Sequence, residues 1–307
     1  MLARLLRLML LFELFAYLAI GVSLVSLAGW SSFEAVVTII FFAAALRAWP
    51  IGMGYLYGHV YRTALGAGGR LHGTALWRQV LREWLAFCRL GFMCAFENLL
   101  VGADARRRTA ADSGSASDPI LLVHGYACNR GGWWWLKSRL EARGRCVATV
   151  SLEPLYSDID TYAEQIARRV AWLRAEMGAE RVTLVGHSMG GLACLAYLRR
   201  YGEDHVARLI TLGTPHSGSG SARQGFGRNA EQMCAKSPWL VELARFFEEM
   251  PLAVPCIAYY GEHDNILIPP ETGRMRGADN RPLAQVGHVE MLASQKVLEE
   301  LLAVTAG

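Results

Sequence analysis

The chain has 307 residues, of which 53% are hydrophobic, and its formal net charge is +4. The positive charge is carried by 28 arginines and three lysines, a balance that suits a membrane surface and gives no argument for nucleic acid as a partner. Seven cysteines, an odd number, predict free, buried thiols and favour a reducing compartment. The sequence contains no metal-ligand cluster, no P-loop and no G-x-G-x-x-G run after a strand, so we expect neither a metal nor another cofactor.

The hydrophobic excess lies in the first sixty or so residues. Residues 14–33 form a run of 20 without a charge, which is long enough to cross a bilayer as a helix. A second uncharged run, residues 35–46, could extend beyond Arg47 to about Leu56. The sequence therefore predicts a membrane anchor of one or two transmembrane helices within residues 1–57. A cleavable signal peptide is disfavoured, because the apolar region is too long and no clear small-x-small site precedes a soluble sequence.

Basic residues flank a neutral loop between the two apolar runs. Arg4 and Arg7 precede the first run, and the loop near residues 29–34 has neither lysine nor arginine. After the second run come Arg47, Arg62, Arg70, Arg78, Arg82 and Arg89. This distribution indicates a hairpin with both ends, and hence the rest of the chain, in the cytoplasm. A single crossing would place the rest of the chain on the opposite side.

Residues 58–118 are predicted to be an amphipathic juxtamembrane region followed by a linker. The segment 84–101 is apolar but interrupted by Arg89 and Glu97. It is consistent either with a helix packed on a folded domain or with an interfacial helix lying on the membrane. Residues 103–118 contain three consecutive arginines and a run rich in serine and glycine, a composition typical of a solvated, flexible linker.

From residue 119 to residue 307, apolar strand-like runs alternate with helical patterns. The predicted strands are residues 120–123, 146–150, 182–185, 209–212, 257–260 and 283–286. The predicted helices include residues 161–176, 192–201 and 293–304. This alternation predicts an α/β domain with a parallel sheet and helices on both of its faces.

The first predicted strand of this domain leads into His124-Gly125-Tyr126. Its continuous apolar run is typical of a parallel strand that is buried on both faces. A glycine-containing loop at such a strand end can present a backbone N–H, here that of Tyr126, to negative charge developing on an oxygen. The alternative is an ordinary strand-to-helix turn.

The third predicted strand runs into Gly186-His187-Ser188-Met189-Gly190, a G-x-S-x-G pattern, and a helical pattern follows. Strand, sharp turn and helix in this order form a nucleophile elbow, in which bulky residues at positions 186 and 190 would clash. The helix N-terminus points free N–H groups at the reacting oxygen. We therefore predict Ser188 as nucleophile, Gly186 and Gly190 as elbow glycines, and the N–H groups of Met189 and Tyr126 as the oxyanion hole.

A serine nucleophile needs a histidine base and an acid that orients this base. His288 follows a short predicted strand and precedes a helix, and Asp264 lies on a loop after another predicted strand. Ser188, Asp264 and His288 follow one another in the order that an elbow serine requires. We predict them as a catalytic triad, with Glu262 and Asp279 as alternative acids.

Residues 217–250 lie between two predicted strands and begin with flexible glycine and serine. Residues 230–236 and 238–249 are helix-like. An insertion at this position is expected to form a cap that gates an acyl chain. Trp133, Trp134 and Trp135 cannot all face one way on a helix, so we expect at least one to be exposed. They would pack against the cap, line an acyl-binding wall or form a membrane-facing belt.

Three stretches of this chain resemble the bacterial lipase/esterase branch of the α/β-hydrolase superfamily. They are His124-Gly125 with Cys128-Asn129-Arg130, the elbow up to Gly191, and Thr211-Leu-Gly-Thr-Pro-His-Ser-Gly218. The last is especially similar to triacylglycerol-lipase-like proteins and, more distantly, to lipases that deacylate lipid anchors. The resemblance covers about residue 119 to the C-terminus. It implies an α/β-hydrolase fold with a helical cap, the triad Ser188, Asp264 and His288, and an oxyanion hole from Tyr126 and Met189.

This resemblance and the apolar N-terminus together imply a membrane-anchored serine ester hydrolase, a lipase or carboxylesterase that cleaves lipid or other carboxylic esters through an acyl-enzyme. The expected partners are an ester or lipid substrate and the bilayer of a bacterial inner membrane, with the catalytic domain in the cytoplasm. An acyltransferase with the same triad and a catalytically silent membrane scaffold are the alternatives. Acyl-chain and head-group specificity and the oligomeric state are left open.

Overall fold

The structure is a computed structural model that describes residues 1–64, 71–102 and 118–305. Its N-terminal helices are α1 (Leu2–Ser26), α2 (Ser32–Ala64), α3 (Gly73–Ala95) and the short α4 (Glu97–Leu100). The following domain contains, in chain order, β1 (Ile120–Val123), α5 (Trp134–Glu141), β2 (Val147–Val150), α6 (Ile159–Met177), β3 (Val182–His187), α7 (Met189–Tyr201), β4 (Val206–Leu212), α8 (Arg228–Met233), α9 (Pro238–Glu249), β5 (Cys256–Gly261), β6 (Asp279–Leu283) and α10 (Gln295–Val304).

The strands form one parallel sheet in the order β2-β1-β3-β4-β5-β6. All four residues of β1 are buried, and successive side chains point into different cores. Leu121 and Val123 join the core that contains α6, α7 and α9, whereas Ile120 and Leu122 join the core that contains α5 and α10. The predicted parallel sheet with helices on both faces is thereby confirmed. Helices α8 and α9 are inserted between β4 and β5, where the cap was predicted.

Helices α1 and α2 form an apolar hairpin. Both are long and apolar enough to cross a membrane, over Leu2–Ser26 and Ser32–Val60. Glu13 and Arg47 form an ion pair between the two helices. The first span was predicted at residues 14–33, but α1 begins and ends earlier, so that Arg4 and Arg7 lie within it rather than before it. The turn between α1 and α2 falls near the neutral loop expected at residues 29–34. The second run continues as helix beyond the expected limit near Leu56 and ends at Ala64.

Both ends of this hairpin lie against the α/β domain. The α-amino group of Met1 lies 2.7 Å from a carboxylate oxygen of Glu153, which follows β2. Near the other end, a Cβ atom on Gly54 would stand 2.7 Å from the backbone oxygen of Asn265, which follows β5. The carboxyl ends of β2 and β5 lie at the same edge of the sheet, since all strands are parallel. The hairpin therefore starts and ends at that edge.

Helix α3 packs on the α/β domain, which agrees with one of the two alternatives predicted for residues 84–101. Glu83, Ala86 and Met93 are buried, whereas Leu85 and Phe92 on the other side are exposed. The exposed side retains the amphipathic character expected of an interfacial helix. The predicted linker, residues 103–118, lies outside the described residues apart from residue 118.

The last strand and the tryptophan run differ from prediction. Strand β6 spans Asp279–Leu283 rather than residues 283–286, and Gln285 has a φ of 56°, so a turn leads to His288. A strand containing Pro282 is tolerated here because β6 is at the edge of the sheet.

Trp133 is fully buried in the core on the α5 side, and Trp134 and Trp135 are half-buried. The expected exposed tryptophan is therefore absent from this run.

Candidate active site

Ser188 lies in the sharp turn between β3 and α7. Its φ and ψ are 54° and −127°, an unfavourable region for a residue with a side chain. The turn is held on both sides of the serine: the Ser188 N–H donates to the Leu212 carbonyl over 2.8 Å, and the Thr214 hydroxyl donates to the Ser188 carbonyl over 2.9 Å. The neighbouring strand thus maintains the strained conformation that directs Ser188 out of the sheet.

The elbow glycines are required by close backbone contacts. A Cβ atom on Gly186 would stand 2.5 Å from the Cα of Gly191, across the turn. A Cβ atom on Gly190 would overlap the backbone carbonyl of Val123 in β1. Larger residues at either position would separate α7 from the strands, and Ser188 would move with it.

Asp264 is the acid that the structure brings to His288. One carboxylate oxygen of Asp264 lies 2.8 Å from Nδ1 of His288, and the other accepts the N–H groups of Ile266 and Leu267 over 2.7 and 2.8 Å. Asp264 and His288 are buried. The alternative acids lie elsewhere: Glu262 is exposed, and Asp279 pairs with Arg281. These contacts fix one imidazole orientation, with Nε2 left as the reactive nitrogen.

The carboxylates around His288 outweigh the effect of its burial. Burial lowers the pKa of His288, but the charge and hydrogen bond of Asp264 and the charge of Glu83 raise it, so that the pKa lies above its usual value. An imidazole in this environment is a stronger base than one in water. It also becomes fully available as a base only at a higher pH.

His187 connects the nucleophile turn to the loop of His288. Its Nε2–H donates to the His288 carbonyl over 3.0 Å, and the two imidazole rings lie 4.8 Å apart. Burial and the nearby charge of His288 lower the pKa of His187 to about 3, so His187 remains neutral. We therefore interpret His187 as a residue that positions the loop, and His288 as the base.

The loop after β1 lies directly against Ser188, the predicted nucleophile. A Cβ atom on Gly125 would stand 2.9 Å from the Cβ of Ser188. The Tyr126 hydroxyl accepts the N–H of Phe226 over 2.7 Å and donates to its carbonyl over 2.9 Å, which ties this loop to the cap. His124 is buried and accepts the Leu152 N–H, and its pKa falls to about 4 because of burial. The placement of Tyr126 and Met189 is compatible with an oxyanion hole, and that role stays a prediction.

Ser188 opens into a cavity of about 620 Å³. This volume is within the range of small-molecule binding sites, roughly 300–1,000 Å³. Its other walls come from α2, from α3 at Glu83 and Phe87, from the cap between β4 and β5, from the loop that follows Asp264, and from Tyr126 and Val289. Most of the lining is apolar, as suits the acyl part of an ester.

Sequence reasoning missed Glu83, a buried carboxylate supplied by α3. Its two oxygens accept the N–H groups of Val289 and Glu290 over 2.8 and 2.9 Å, directly after His288. Burial raises the pKa of Glu83 to about 7, although these two hydrogen bonds oppose the rise. A signal was present in the sequence: Glu83 lies on the same helix face as Gln79 and Ala86, both buried. A carboxylate on the buried face of an amphipathic helix calls for a specific partner.

Metal ligation has no support in the part of the chain that the structure describes, where no group of three or more His, Cys, Asp or Glu side chains could hold an ion. All seven cysteines are free thiols. The sulfur atoms of Cys94 in α3 and Cys128 in the loop after β1 are 3.6 Å apart.

Comparisons with known proteins agree with this architecture. Residues 118–242 match the family described as alpha/beta hydrolase fold. A triacylglycerol lipase from Burkholderia plantarii is 36% identical over 119 residues, which are 36% of this chain and 33% of the relative. A triacylglycerol lipase from Pseudarthrobacter phenanthrenivorans is 36% identical over 109 residues, 33% of this chain and 34% of the relative. The chain thus matches about a third of the length of these curated relatives.

The similarity in fold to a solved structure covers more of this chain than the sequence similarity to the curated relatives does. The mature form of lipase BlEst2 from Bacillus licheniformis superposes with a TM-score of 0.56 at 17% identity, covering 66% of this chain and 96% of that one. Its propeptide form gives a TM-score of 0.55 at 18% identity, over 66% of this chain and 52% of that one. The predicted resemblance and fold are confirmed: the domain that begins near residue 118 has the α/β-hydrolase fold, and its sequence is similar to bacterial triacylglycerol lipases.

Proposed function

We propose that this protein is a membrane-anchored serine ester hydrolase that acts on carboxylic esters with a substantial apolar part. The observation that carries the proposal is the hydrogen bond between Asp264 and His288, together with a strained Ser188 that opens into an apolar cavity. The lipase names of the sequence relatives support the reaction class.

The proposed reaction has two half-reactions. Ser188 Oγ attacks the ester carbonyl carbon while Nε2 of His288 takes the hydroxyl proton and then gives it to the leaving alcohol. Water next attacks the acyl-enzyme, with His288 again as base, and releases the acid and free Ser188. Asp264 holds the imidazole and stabilises its positive charge, and the backbone N–H groups of Tyr126 and Met189 stabilise the oxyanion.

We propose further that α1 and α2 lie in the bilayer with the hydrolase domain on the cytoplasmic side. Large apolar side chains on both helices face outward, for example Phe12, which is 73% exposed, and Phe41, which is 72% exposed. Exposed apolar surface of this extent is unfavourable in water and favourable in lipid. The arginines on both flanks and the neutral turn support the cytoplasmic side.

Turnover of p-nitrophenyl butyrate and palmitate by the detergent-solubilised protein tests the reaction class. We expect hydrolysis of both esters, a fluorophosphonate label on the wild type, and a loss of roughly 10⁴-fold or more in kcat with Ser188→Ala. A folded wild type that neither turns over nor takes the label would refute the proposal and favour a silent scaffold. Labelling without release of free acid, but with transfer to an added alcohol, would instead indicate an acyltransferase.

A further inference from the structure

Helix α2, a membrane-type helix, forms one wall of the cavity that holds Ser188. It contributes Trp49, Pro50, Ile51, Met53, Gly54 and Tyr57 to the lining. These residues lie in the last half of α2, where the hairpin reaches the hydrolase domain. The cavity is therefore shared between the N-terminal hairpin and the hydrolase domain.

The facing walls of this cavity are also apolar. The cap supplies Ala222, Ala230 and Met233, and the loop after Asp264 supplies Ile266, Leu267 and Ile268. An elongated hydrocarbon chain is stabilised by each methylene group that such walls remove from water. The lining thus favours a ligand with an apolar chain attached to the reacting carbonyl.

Two residues of α2 belong both to the cavity and to the outer surface of the helix. Trp49 is 69% exposed and Met53 is 43% exposed, although both line the cavity. The outer surface of α2 before them is apolar and exposed, as at Leu46. The cavity rim at Trp49 and Met53 is consequently continuous with the surface that the proposed function places in lipid.

We propose that the substrate is a membrane lipid whose acyl chain passes over the rim at Trp49 and Met53 and lies between α2 and the cap, with its ester carbonyl at Ser188. This inference rests on the proposed function. It assigns to the anchor helix a second role, that of an acyl-binding wall. The part of α2 that faces the cap then limits the chain length that the site accepts.

Met53→Trp tests this assignment because the larger ring would reduce the cavity at its rim. We expect kcat/KM for p-nitrophenyl palmitate to fall about 10-fold, while kcat/KM for the butyrate changes less than about twofold. Leu46→Trp is the matched control, since it makes the same kind of change on the same helix outside the cavity, and it should leave both values unchanged. Equal effects of Met53→Trp on both esters, or no effect on either, would overturn the assignment.

Binding separates this inference from the proposed function. In the Ser188→Ala background, a fluorescent long-chain fatty acid should bind and should bind about 10-fold more weakly when Met53→Trp is added. If the fatty acid binds in this way but the wild type hydrolyses no ester, the proposed hydrolase activity is refuted and the acyl-binding site stands. If the wild type hydrolyses the esters but Met53→Trp changes neither fatty-acid binding nor the preference for chain length, the acyl-binding site is refuted and the proposed hydrolase activity stands.

A separate set of contacts points to Glu83 as a positioning residue for His288. Besides the two N–H groups that Glu83 accepts, Arg82 donates to the Gln285 carbonyl over 2.6 Å and lies 3.2 Å from Glu290. A Cβ atom on Gly287 would overlap the Glu83 carboxylate. We infer that Glu83 sets the position of the His288 loop from α3, so that a helix outside the α/β domain holds part of the proposed catalytic geometry.

Substitution of Glu83 should reduce kcat more than it raises KM, since the loop carries the predicted base, while Glu83 itself also lines the cavity that holds Ser188. We expect a loss of roughly 100-fold for Glu83→Ala and a smaller loss for Glu83→Gln, which keeps one acceptor oxygen. Glu299→Gln, on the exposed side of α10, serves as the control carboxylate. If only thermal stability falls and kcat is unchanged in both Glu83 variants, the positioning role is refuted.

The dependence of kcat/KM on pH separates a positioning role of Glu83 from a purely structural one, because a loss of stability alone would not shift the acid limb. The titratable groups near His288 are Asp264, His187 and Glu83. Those near Glu83 are Tyr55 and Glu290, and Arg82 pairs with Glu290. Because the Glu83 charge raises the pKa of His288, its removal in Glu83→Gln should move the acid limb of kcat/KM to lower pH. An acid limb that stays at the wild-type pH would contradict the inference.

Discussion

Gly54 of α2 and Asn265 of the hydrolase domain are in direct contact, with so little space that a Cβ atom at residue 54 would stand 2.7 Å from the Asn265 backbone oxygen. Asn265 is the residue after Asp264. A close approach of α2 to the α/β domain thus occurs beside Asp264, the predicted acid, and it depends on a glycine.

We predict that Gly54→Ala displaces α2 from this loop and lowers both the thermal stability and kcat. The matched control is Gly52→Ala on the same helix, because a Cβ atom at Gly52 would meet no atom within 4 Å. An exposed glycine in a helix interior costs about 0.5–1 kcal/mol relative to alanine, so the control should be neutral or slightly stabilising. Thermal unfolding and ester turnover in the same detergent measure both effects, and identical behaviour of the two variants would contradict the prediction.

Asp264→Asn should lower kcat by roughly 10³–10⁴-fold, because the amide no longer fixes the imidazole tautomer or stabilises its charge. Asp279→Asn, at the alternative acid, should leave kcat unchanged, since Asp279 pairs with Arg281 at the surface. Turnover of p-nitrophenyl butyrate compares the two variants. A larger loss in Asp279→Asn would move the acid role away from Asp264.

The wild-type profile of kcat/KM should have its acid limb above the usual histidine pKa of about 6.5. His288 accepts a proton only when it is neutral, and Asp264 and Glu83 raise its pKa despite burial. In the residual activity of Asp264→Asn the limb should move to lower pH, because a charge that favours the imidazolium is removed. Measurement between about pH 5 and pH 9 covers the change, and a limb that moves upward would contradict the assignment.

Thr214→Val tests the support of the strained turn. The substitution keeps the shape of the side chain but removes the hydrogen bond to the Ser188 carbonyl, in a site where Thr214 is fully buried. We expect a loss of about 1 kcal/mol in the free energy of unfolding and a reduced rate of fluorophosphonate labelling at Ser188. Thr272→Val removes a comparable bond, to the Pro269 carbonyl, away from the nucleophile, and should leave the labelling rate unchanged.

The sheet, and the placement of the residues predicted to form the site, followed from the sequence at positions where backbone contacts and burial limit the choice of residue. A strand that is buried on both faces must be apolar throughout, so β1 could be located to the residue. The glycines at positions 186 and 190 reveal the elbow because backbone contacts there exclude a side chain. The contact of His288 with Asp264 followed from the chain order of the triad.

The remaining features were missed for different reasons. The first apolar helix was misplaced because charges were used to set its bounds, and α1 instead runs from Leu2 through Glu13 to Ser26. Local signals mark the turn that follows, since Gly29 has a φ of 72° and Ser31 and Glu34 form a capping box at the start of α2. The register of β6 was misplaced because an edge strand lacks the continuous apolar run of a central one. Glu83 was missed because its partners are backbone N–H groups about two hundred residues away along the chain.

A soluble fragment cut at Asp118 would be a poor substitute for the whole protein. It would leave the N–H groups of Val289 and Glu290 without their acceptor and the loop around Gly132 without Leu90, which lies against it. Such a fragment would expose apolar surface at the same edge that carries the nucleophile, and aggregation would compete with folding. A fragment that begins at Leu71 would keep these contacts of α3 but would lose the cavity wall that α2 supplies, so only the whole chain retains the complete site.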